Sequence, residues 1–110
     1  MWQESRELTK KIYKLTSPQL FKKDLGLKDQ VQRASVSVMT NIAEGFERES
    51  NNEFIKFLTY SKGLCGEVRS LLYVALDLDY INQAEFDENY CKSISIIAQT
   101  SKFKHIYSQV

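Results

Sequence analysis

The stretch Ser50–Leu78, SNNEFIKFLTYSKGLCGEVRSLLYVALDL, decides the fold class of this chain. Ser50 and Glu53 form a capping-box pair, in which the serine hydroxyl accepts from the Glu53 amide and the Glu53 carboxylate accepts from the Ser50 amide. Apolar residues then recur every three or four positions over about seven turns, a period that predicts one long amphipathic helix. They are Phe54, Phe57, Leu58, Leu64, Cys65, Val68, Leu71, Leu72, Ala75 and Leu78.

The amino-terminal segment predicts a shorter helix. Residues 3 to about 16 carry Leu8, Ile12 and Leu15 on one face, opposite several lysines. The sequence Thr16-Ser17-Pro18 ends this helix, because the residue before a proline avoids the α region and proline has no amide to donate. A loop through Gly26 is expected to follow.

Two further helices flank the long one. The first, from about residue 27 to residue 45, is predicted to end in a left-handed cap at Gly45. The second begins at a capping pair formed by Asn82 and Glu85. The predicted core positions of these two helices are Leu27, Val31, Ala34, Val38 and Ile42, followed by Phe86, Tyr90, Ile94, Ile97 and Ser101.

Short connections between these four helices favour antiparallel neighbours. No window shows clean apolar alternation between turn residues, so no strand is predicted. With 110 residues, of which 43% are hydrophobic, the chain has the size of one domain. The sequence therefore predicts an all-α fold: an antiparallel up-down-up-down four-helix bundle that forms a single domain over residues 1–110.

The predicted helices differ in length, which bears on assembly. At the rise of an α-helix the third would extend roughly 40 Å and the first roughly 20 Å, so part of the long apolar face would lack an internal partner. Phe54 and Phe57, with Phe103 and Tyr107, then indicate an exposed patch or a subunit contact. We expect a homo-oligomer.

Charge is unevenly distributed along the chain. The sequence has 15 basic and 14 acidic residues, a net charge of +1 that gives no global attraction to nucleic acid or an anionic membrane. Residues 1–26, however, hold six cations and three anions. Arg6, Lys10 and Lys14 recur every fourth position on the first helix, and Lys22 and Lys23 follow. These five are the candidate nucleic-acid binding residues, through contacts to phosphates; the alternative is a solvated face that keeps the bundle soluble.

Other classes of site and location have little support in the residues. No signal-peptide run follows Met1, and the longest uncharged apolar stretch, Leu71–Leu76, is too short to cross a bilayer, so we expect a cytoplasmic protein without a membrane partner. Cys65 and Cys91 lie within helical apolar patterns and are predicted to be buried free thiols. His105 is the sole histidine and has no nucleophile motif beside it. We expect no catalytic residues, metal, cofactor or small-molecule substrate.

The run Arg33–Gly45, RASVSVMTNIAEG, resembles the signature of the four-helix bundle family encoded in intervening sequences of bacterial 23S ribosomal RNA genes, also described as S23 ribosomal protein-like. Trp2, the turn at Gly26 and the segments 50–58 and 63–67 extend the resemblance over nearly the whole chain. Met39 stands where many members have proline, so the kink expected of the family is not implied here. A related protein, the accessory protein of diversity-generating retroelements, forms a pentameric barrel and works with a reverse transcriptase and nucleic acid.

The resemblance also implies which polar residues matter. Its signature residues in this chain are Arg33, Asn41, Glu44, Gly45, Gly63 and Glu67, all interpreted as structural. Glu44 lies near a helix carboxyl end, where the macrodipole disfavours an anion, so a partner on another helix or subunit is expected. Gly63 and Gly66 are interpreted as a notch for close helix approach rather than a phosphate-binding loop.

Two functions follow as hypotheses. The first is a non-catalytic, self-assembling binding scaffold, with a pentamer favoured by the resemblance and an RNA or a protein as its partner. The alternative is an RNA- or DNA-binding accessory protein, a reverse-transcriptase partner, which acts through the basic face of the first helix. A hydrolytic enzyme is the weakest reading, because only isolated acids and one histidine support it.

Overall fold

The computed structural model describes residues 1–109. Within them the chain forms α-helices and short connections, with no strand, so the predicted all-α class is confirmed. The structure contains one more helix than predicted. The helices are α1 (Trp2–Leu15), α2 (Gln19–Lys23), α3 (Leu25–Phe46), α4 (Asn51–Asp77) and α5 (Gln83–Ser108).

The two predicted capping sites do begin helices. Ser50 Oγ accepts from the Glu53 amide at 3.2 Å at the start of α4. Asn82 and Glu85 form a complete reciprocal box at the start of α5, with bonds of 2.8 and 2.9 Å. At Ser50 only the serine half of the predicted box forms, since the Glu53 carboxylate has no hydrogen bond to the Ser50 amide. Both caps satisfy amides that have no partner within the helix, and this fixes where each helix begins.

The segment after Pro18 corrects the sequence prediction. In place of a loop through Gly26, α2 forms a single turn, and Gly26 lies inside α3. Phe21 on α2 is buried and its ring centroid lies 5.3 Å from that of Tyr80, in the middle of the connection between α4 and α5. One anchoring residue holds this turn, and a turn is too short to show an apolar period.

Neighbouring long helices run antiparallel. Ser61 Oγ of α4 donates to the Val38 carbonyl of α3 at 2.9 Å, while farther along both helices Gly45 lies against Phe54. A Cβ at position 45 would lie 3.0 Å from Phe54 Cδ1 and 3.2 Å from Cβ of Phe57, so a larger residue would push these side chains away by a few tenths of an ångström. The prediction of a left-handed cap is wrong: α3 continues through Phe46, and no glycine in residues 1–109 has a positive φ.

The close helix approach predicted at Gly63 and Gly66 of α4 is not found within the described chain. A Cβ on Gly63 would meet no atom within 4 Å, and one on Gly66 would touch only the Arg69 side chain, at 3.6 Å. The helix carries these glycines where no neighbouring helix crosses, so the notch interpretation is wrong for the contacts within the described chain. Close packing of α4 depends instead on Gly45, which belongs to α3.

An aromatic cluster joins the start of α4 to the end of α5. Phe54 is 5% exposed, and its ring centroid lies 4.8 Å from that of Tyr107 and 6.4 Å from that of Phe103. Phe54 is therefore buried within the chain, whereas Phe57, Phe103 and Tyr107 are half-buried, so the exposed patch or subunit contact indicated by the sequence is corrected for Phe54. The difference arises because α5 extends to Ser108 and covers this end of α4.

The buried face of α5 also differs from the prediction. Only Phe86 of the predicted set is fully buried, and Ile94 is 43% exposed. Ser93 and Thr100 can be buried because their hydroxyls donate to the carbonyls of Tyr90 and Ile96, at 3.0 and 2.8 Å. The face that packs inward consists of Phe86, Asn89, Ser93, Ile96 and Thr100.

The apolar positions predicted for α1 and α3 are confirmed as core. Leu8, Ile12 and Leu15 of α1 are buried, and so are all five positions predicted for α3. Met39 does not interrupt α3; its sulfur accepts from Thr9 Oγ1 of α1 at 3.5 Å. In the described part of the chain, no helix has both the length and the apolar character required to cross a membrane.

The Gly45 contact gives a stability prediction. Gly45→Ala is expected to lower the free energy of unfolding by about 1–2 kcal/mol, because steric overlap with the Phe54 ring and Phe57 exceeds the gain in helix propensity. Gly66→Ala is the matched control and is expected to raise it by about 0.5–1 kcal/mol. Urea unfolding at one protein concentration measures both; a stabilised Gly45→Ala protein would contradict the close approach.

Candidate functional site

The five candidate nucleic-acid binding residues are all exposed. Arg6, Lys10 and Lys14 lie on the outward side of α1, and Lys22 and Lys23 lie on α2. None of the five has a carboxylate within ion-pair distance in residues 1–109. The Arg6 guanidinium lies 5.9 Å from the centre of the Trp2 ring, which is a cation–π distance.

The structure brings these cations together only in part. Lys10 and Lys14 line a cleft between α1 and α5, whereas Lys22 lines a second cleft, beside Tyr13 and Lys28. Lys28 was missed by the sequence analysis, because its proximity to Lys22 depends on the turn of α2. The basic residues thus occupy two sides of α1 rather than one continuous face.

Polar contacts hold α1 against α5, and we call this set the polar seam. Lys11 pairs with Glu88, and Lys92 Nζ lies 2.8 Å from Oε2 of Glu7. Glu4 accepts from Ser95 Oγ at 2.6 Å and also from Gln99 Nε2. The partners are 77 to 95 residues apart in sequence, so no local spacing indicates them.

The polar seam shifts the ionisation of its members. The hydrogen bond from Ser95 holds the pKa of Glu4 below its usual value of 4.5. Hydrogen bonds from Lys92 and Lys11 lower the pKa of Glu7 and of Glu88 in the same way. The bond to Glu7 raises the pKa of Lys92. In all four cases the charged form is the one stabilised by the fold.

The signature residues make local contacts. Arg33 Nε pairs with Asp29 at 3.1 Å, and Asn41 donates to the Ser37 carbonyl at 2.8 Å. Glu44 pairs at 2.7 Å with Arg48, one turn later, and not with another helix as expected. Arg48, which follows the carboxyl end of α3, is therefore the cation that offsets the unfavourable position of Glu44 in the helix dipole. Gly63 and Glu67 are exposed on α4.

The groups most capable of chemistry lie apart. His105 is exposed and bonds to Gln109 at 3.0 Å. Cys65 is buried, and burial raises the pKa of its thiol to about 11, which keeps it a neutral thiol at neutral pH. Cys91 is exposed, so the prediction that it is buried is wrong, although both thiols are free. Residues 1–109 hold no group of three or more potential metal ligands.

The seam predicts a loss of stability in acid. Glu4, Glu7 and Glu88 have a lowered pKa in the folded state, so their contribution is present above the unfolded value of about 4.5 and is lost as the pH falls through the folded value. The triple variant E4Q/E7Q/E88Q is expected to lose less stability than the wild type between about pH 7 and about pH 3.5, as measured by urea unfolding.

A matched control for this prediction is E47Q/E49Q, whose carboxylates have no cross-helix hydrogen bond within the described chain. It should retain the pH dependence of the wild type. An unchanged pH profile in the triple variant would show that the seam does not couple protonation to folding.

Comparison with known proteins places this arrangement in a family. Residues 1–102 match the model of the 23S rRNA-intervening sequence protein. No protein of curated function matches the chain in sequence. A crystal structure of a protein with unknown function from the S23 ribosomal protein family of Bacteroides thetaiotaomicron has the same fold, with a TM-score of 0.86 at 21% identity over 94% of this chain and 96% of that one. The chain therefore belongs to the 23S rRNA-intervening sequence protein family.

Proposed function

We propose that this protein is a non-catalytic scaffold that assembles with copies of itself and offers a binding surface. Family membership supports this role because the 23S rRNA-intervening sequence family implies no enzymatic activity. The buried neutral Cys65 and the isolated, exposed His105 lie apart and provide no nucleophile–base pair.

The observation that carries the proposal is a second apolar face on α4. It lies beside the core face, and its members follow helical steps of three, four or seven residues. Tyr60, Val74 and Leu78 are 46%, 43% and 49% exposed. The complete face consists of Phe57, Tyr60, Leu64, Leu71 and Val74 of α4 and its C-cap Leu78, and Glu67 lies in register between Leu64 and Leu71. Leu64 and Leu71 are half-buried against the core and form the inner border of this face.

A second copy of this chain is the occupant that the proposal assigns to this face. A row of large apolar residues along one exposed helix is typical of protein–protein interfaces, because packing against a helix of another subunit removes that apolar area from water. The family resemblance favours five subunits in a ring. Glu67 within this contact would favour a cation on the adjoining subunit and so add specificity by charge.

Light scattering coupled to gel filtration tests the assembly. The wild type is expected to have a mass that is a multiple of 12.8 kDa, five subunits being the expected number. V74E/L78E is expected to dissociate it, because burying two unpaired carboxylates is costly. I94E, which alters an apolar side chain of α5 with similar exposure, 43%, should leave the mass unchanged. A wild-type mass near 12.8 kDa at micromolar concentration would refute assembly.

A second candidate function is binding of RNA or DNA as an accessory protein, through Arg6, Lys10, Lys14, Lys22 and Lys23. It is favoured by one observation, namely that all five cations are exposed and unpaired within residues 1–109. Unpaired lysines can contact phosphates without first breaking an ion pair. In this proposal the protein contacts the nucleic-acid backbone, with no preference for sequence.

Fluorescence anisotropy with a single-stranded RNA tests this candidate. The variant K10E/K14E/K22E/K23E is expected to weaken binding by at least about tenfold, and to flatten its salt dependence, since each neutralised phosphate contributes about −0.7 to the slope. The matched control K56E/K62E/K102E/K104E reverses as many charges elsewhere. Equal losses in both variants, or affinity insensitive to salt, would refute the site.

A further inference from the structure

A cleft of about 450 Å³ lies between α1 and α5, beside the polar seam. This volume is in the range of small-molecule sites, roughly 300–1,000 Å³. Both helices contribute charged residues to it, and Leu15 supplies an apolar wall. The lining residues are Glu7, Lys10, Lys11, Lys14, Leu15, Glu85, Glu88 and Asn89.

The three carboxylates of this cleft are already engaged. Glu88 pairs with Lys11, and Glu7 pairs with Lys92. The Glu85 carboxylate accepts from the Asn82 amide at 2.9 Å, as part of the α5 cap. Each acid thus has a partner that it would have to give up before it could bind anything else.

Lys10 and Lys14 are in the opposite situation. Both line the cleft, and neither has a carboxylate within ion-pair distance in residues 1–109. They are four residues apart on α1, so their side chains are neighbours on the helix surface. Two adjacent ammonium groups without partners are suited to one anionic group that carries several oxygens.

Asn89 adds a different requirement. It is only 3% exposed, and its Nδ2 donates to the Glu85 carbonyl at 2.8 Å. Its Oδ1 is the one buried side-chain acceptor without a hydrogen-bond partner in the described chain. Buried acceptors are almost always paired, so an unpaired one at a cleft indicates that a donor is missing. Asn89 is also one of the residues that line the cleft, so the missing donor is expected from that side.

We propose that this cleft binds a small phosphate ester that carries hydroxyl groups. Lys10 and Lys14 hold the phosphate, a hydroxyl group donates to Asn89 Oδ1, and the carbon skeleton contacts Leu15. Phosphate is favoured because it offers several charged oxygens to the two ammonium groups, and a hydroxyl because Asn89 Oδ1 can only accept. This site is independent of self-assembly, and it contradicts the expectation from the sequence that no small-molecule ligand is involved.

Isothermal titration with ribose 5-phosphate tests the proposal, using the full-length protein as it assembles in solution. Saturable binding is expected, and K10Q/K14Q should weaken it by about tenfold or more, since both charged donors are lost. N89L should weaken it by a similar factor while the melting temperature stays equal or rises, because leucine fills a similar volume without an unpaired acceptor. K56Q/K62Q removes the same charge from α4 and should leave the affinity unchanged.

Inorganic phosphate and a short oligouridylate are the comparison ligands. Inorganic phosphate should bind more weakly than ribose 5-phosphate, and N89L should affect its binding little. The proposal is overturned by an absence of saturable binding, by ribose 5-phosphate affinity that is the same in N89L as in the wild type, or by equal affinity for inorganic phosphate. Oligouridylate binding that depends on Lys10 and Lys14 but not on Asn89, with no binding of ribose 5-phosphate, would assign the lysines to nucleic acid instead. The lysine variants alter exposed side chains, so they test the site even if N89L does not fold.

Discussion

The close approach of α3 and α4 at Gly45 is the constraint on which the rest of the structure depends. The missing side chain lets the Phe54 ring lie directly on the α3 backbone. The same ring then meets Tyr107 and Phe103 with its other surfaces, so it links α3, α4 and the end of α5. Because protein interiors are closely packed, a helix displaced at this point would move both of its neighbours.

Two kinds of contact hold the helices together. The contacts of α4 with α3 and α5 are built on buried aliphatic and aromatic residues, whereas α1 meets α5 along the polar seam. Salt screens partly exposed ion pairs, whereas apolar contacts carry no charge to be screened. The chain thus has one hydrophobic core, to which α1 contributes Leu8, Ile12 and Leu15, and an edge between α1 and α5 whose interactions respond to the ionic conditions. Lys10 and Lys14, which both binding proposals use, lie at that edge, whereas Lys22 lines the cleft on the other side of α1.

Most of the fold could be predicted because a helix that buries aliphatic residues repeats them every three or four positions, a pattern that is easily recognised in the sequence. Leu8, Ile12 and Leu15 were found in this way, and so was the core face of α3. The same reasoning failed for α5, since Ser93 and Thr100 count as polar until their hydroxyls are seen to bond to their own helix. It also missed α2, because one turn anchored by one phenylalanine has no period to detect.

The candidate site was predictable only at the level of residue type and spacing. Steps of four residues placed Arg6, Lys10 and Lys14 on one side of α1. Which of these cations share a cleft was not predictable, because it depends on the turn of α2 and on α5. The pairing of Lys11 with Glu88 and the unpaired oxygen of Asn89 arise from contacts across the chain, which local patterns do not encode.

The small hydroxyl side chains along the middle of α5 have a consequence for its register. They bond chiefly within their own helix, and the contact of Ser93 with α4 is a long hydrogen bond that it accepts from Arg69 Nη1 at 3.4 Å, so they specify their alignment with α4 only weakly. Alignment is set at the two ends, where Phe86 and Tyr90 meet Tyr73, and Phe103 and Tyr107 meet Phe54. A residue inserted between these aromatic groups would turn one by about 100° relative to the other. The number of residues between the two aromatic clusters is therefore more tightly constrained than the chemical nature of those intervening residues.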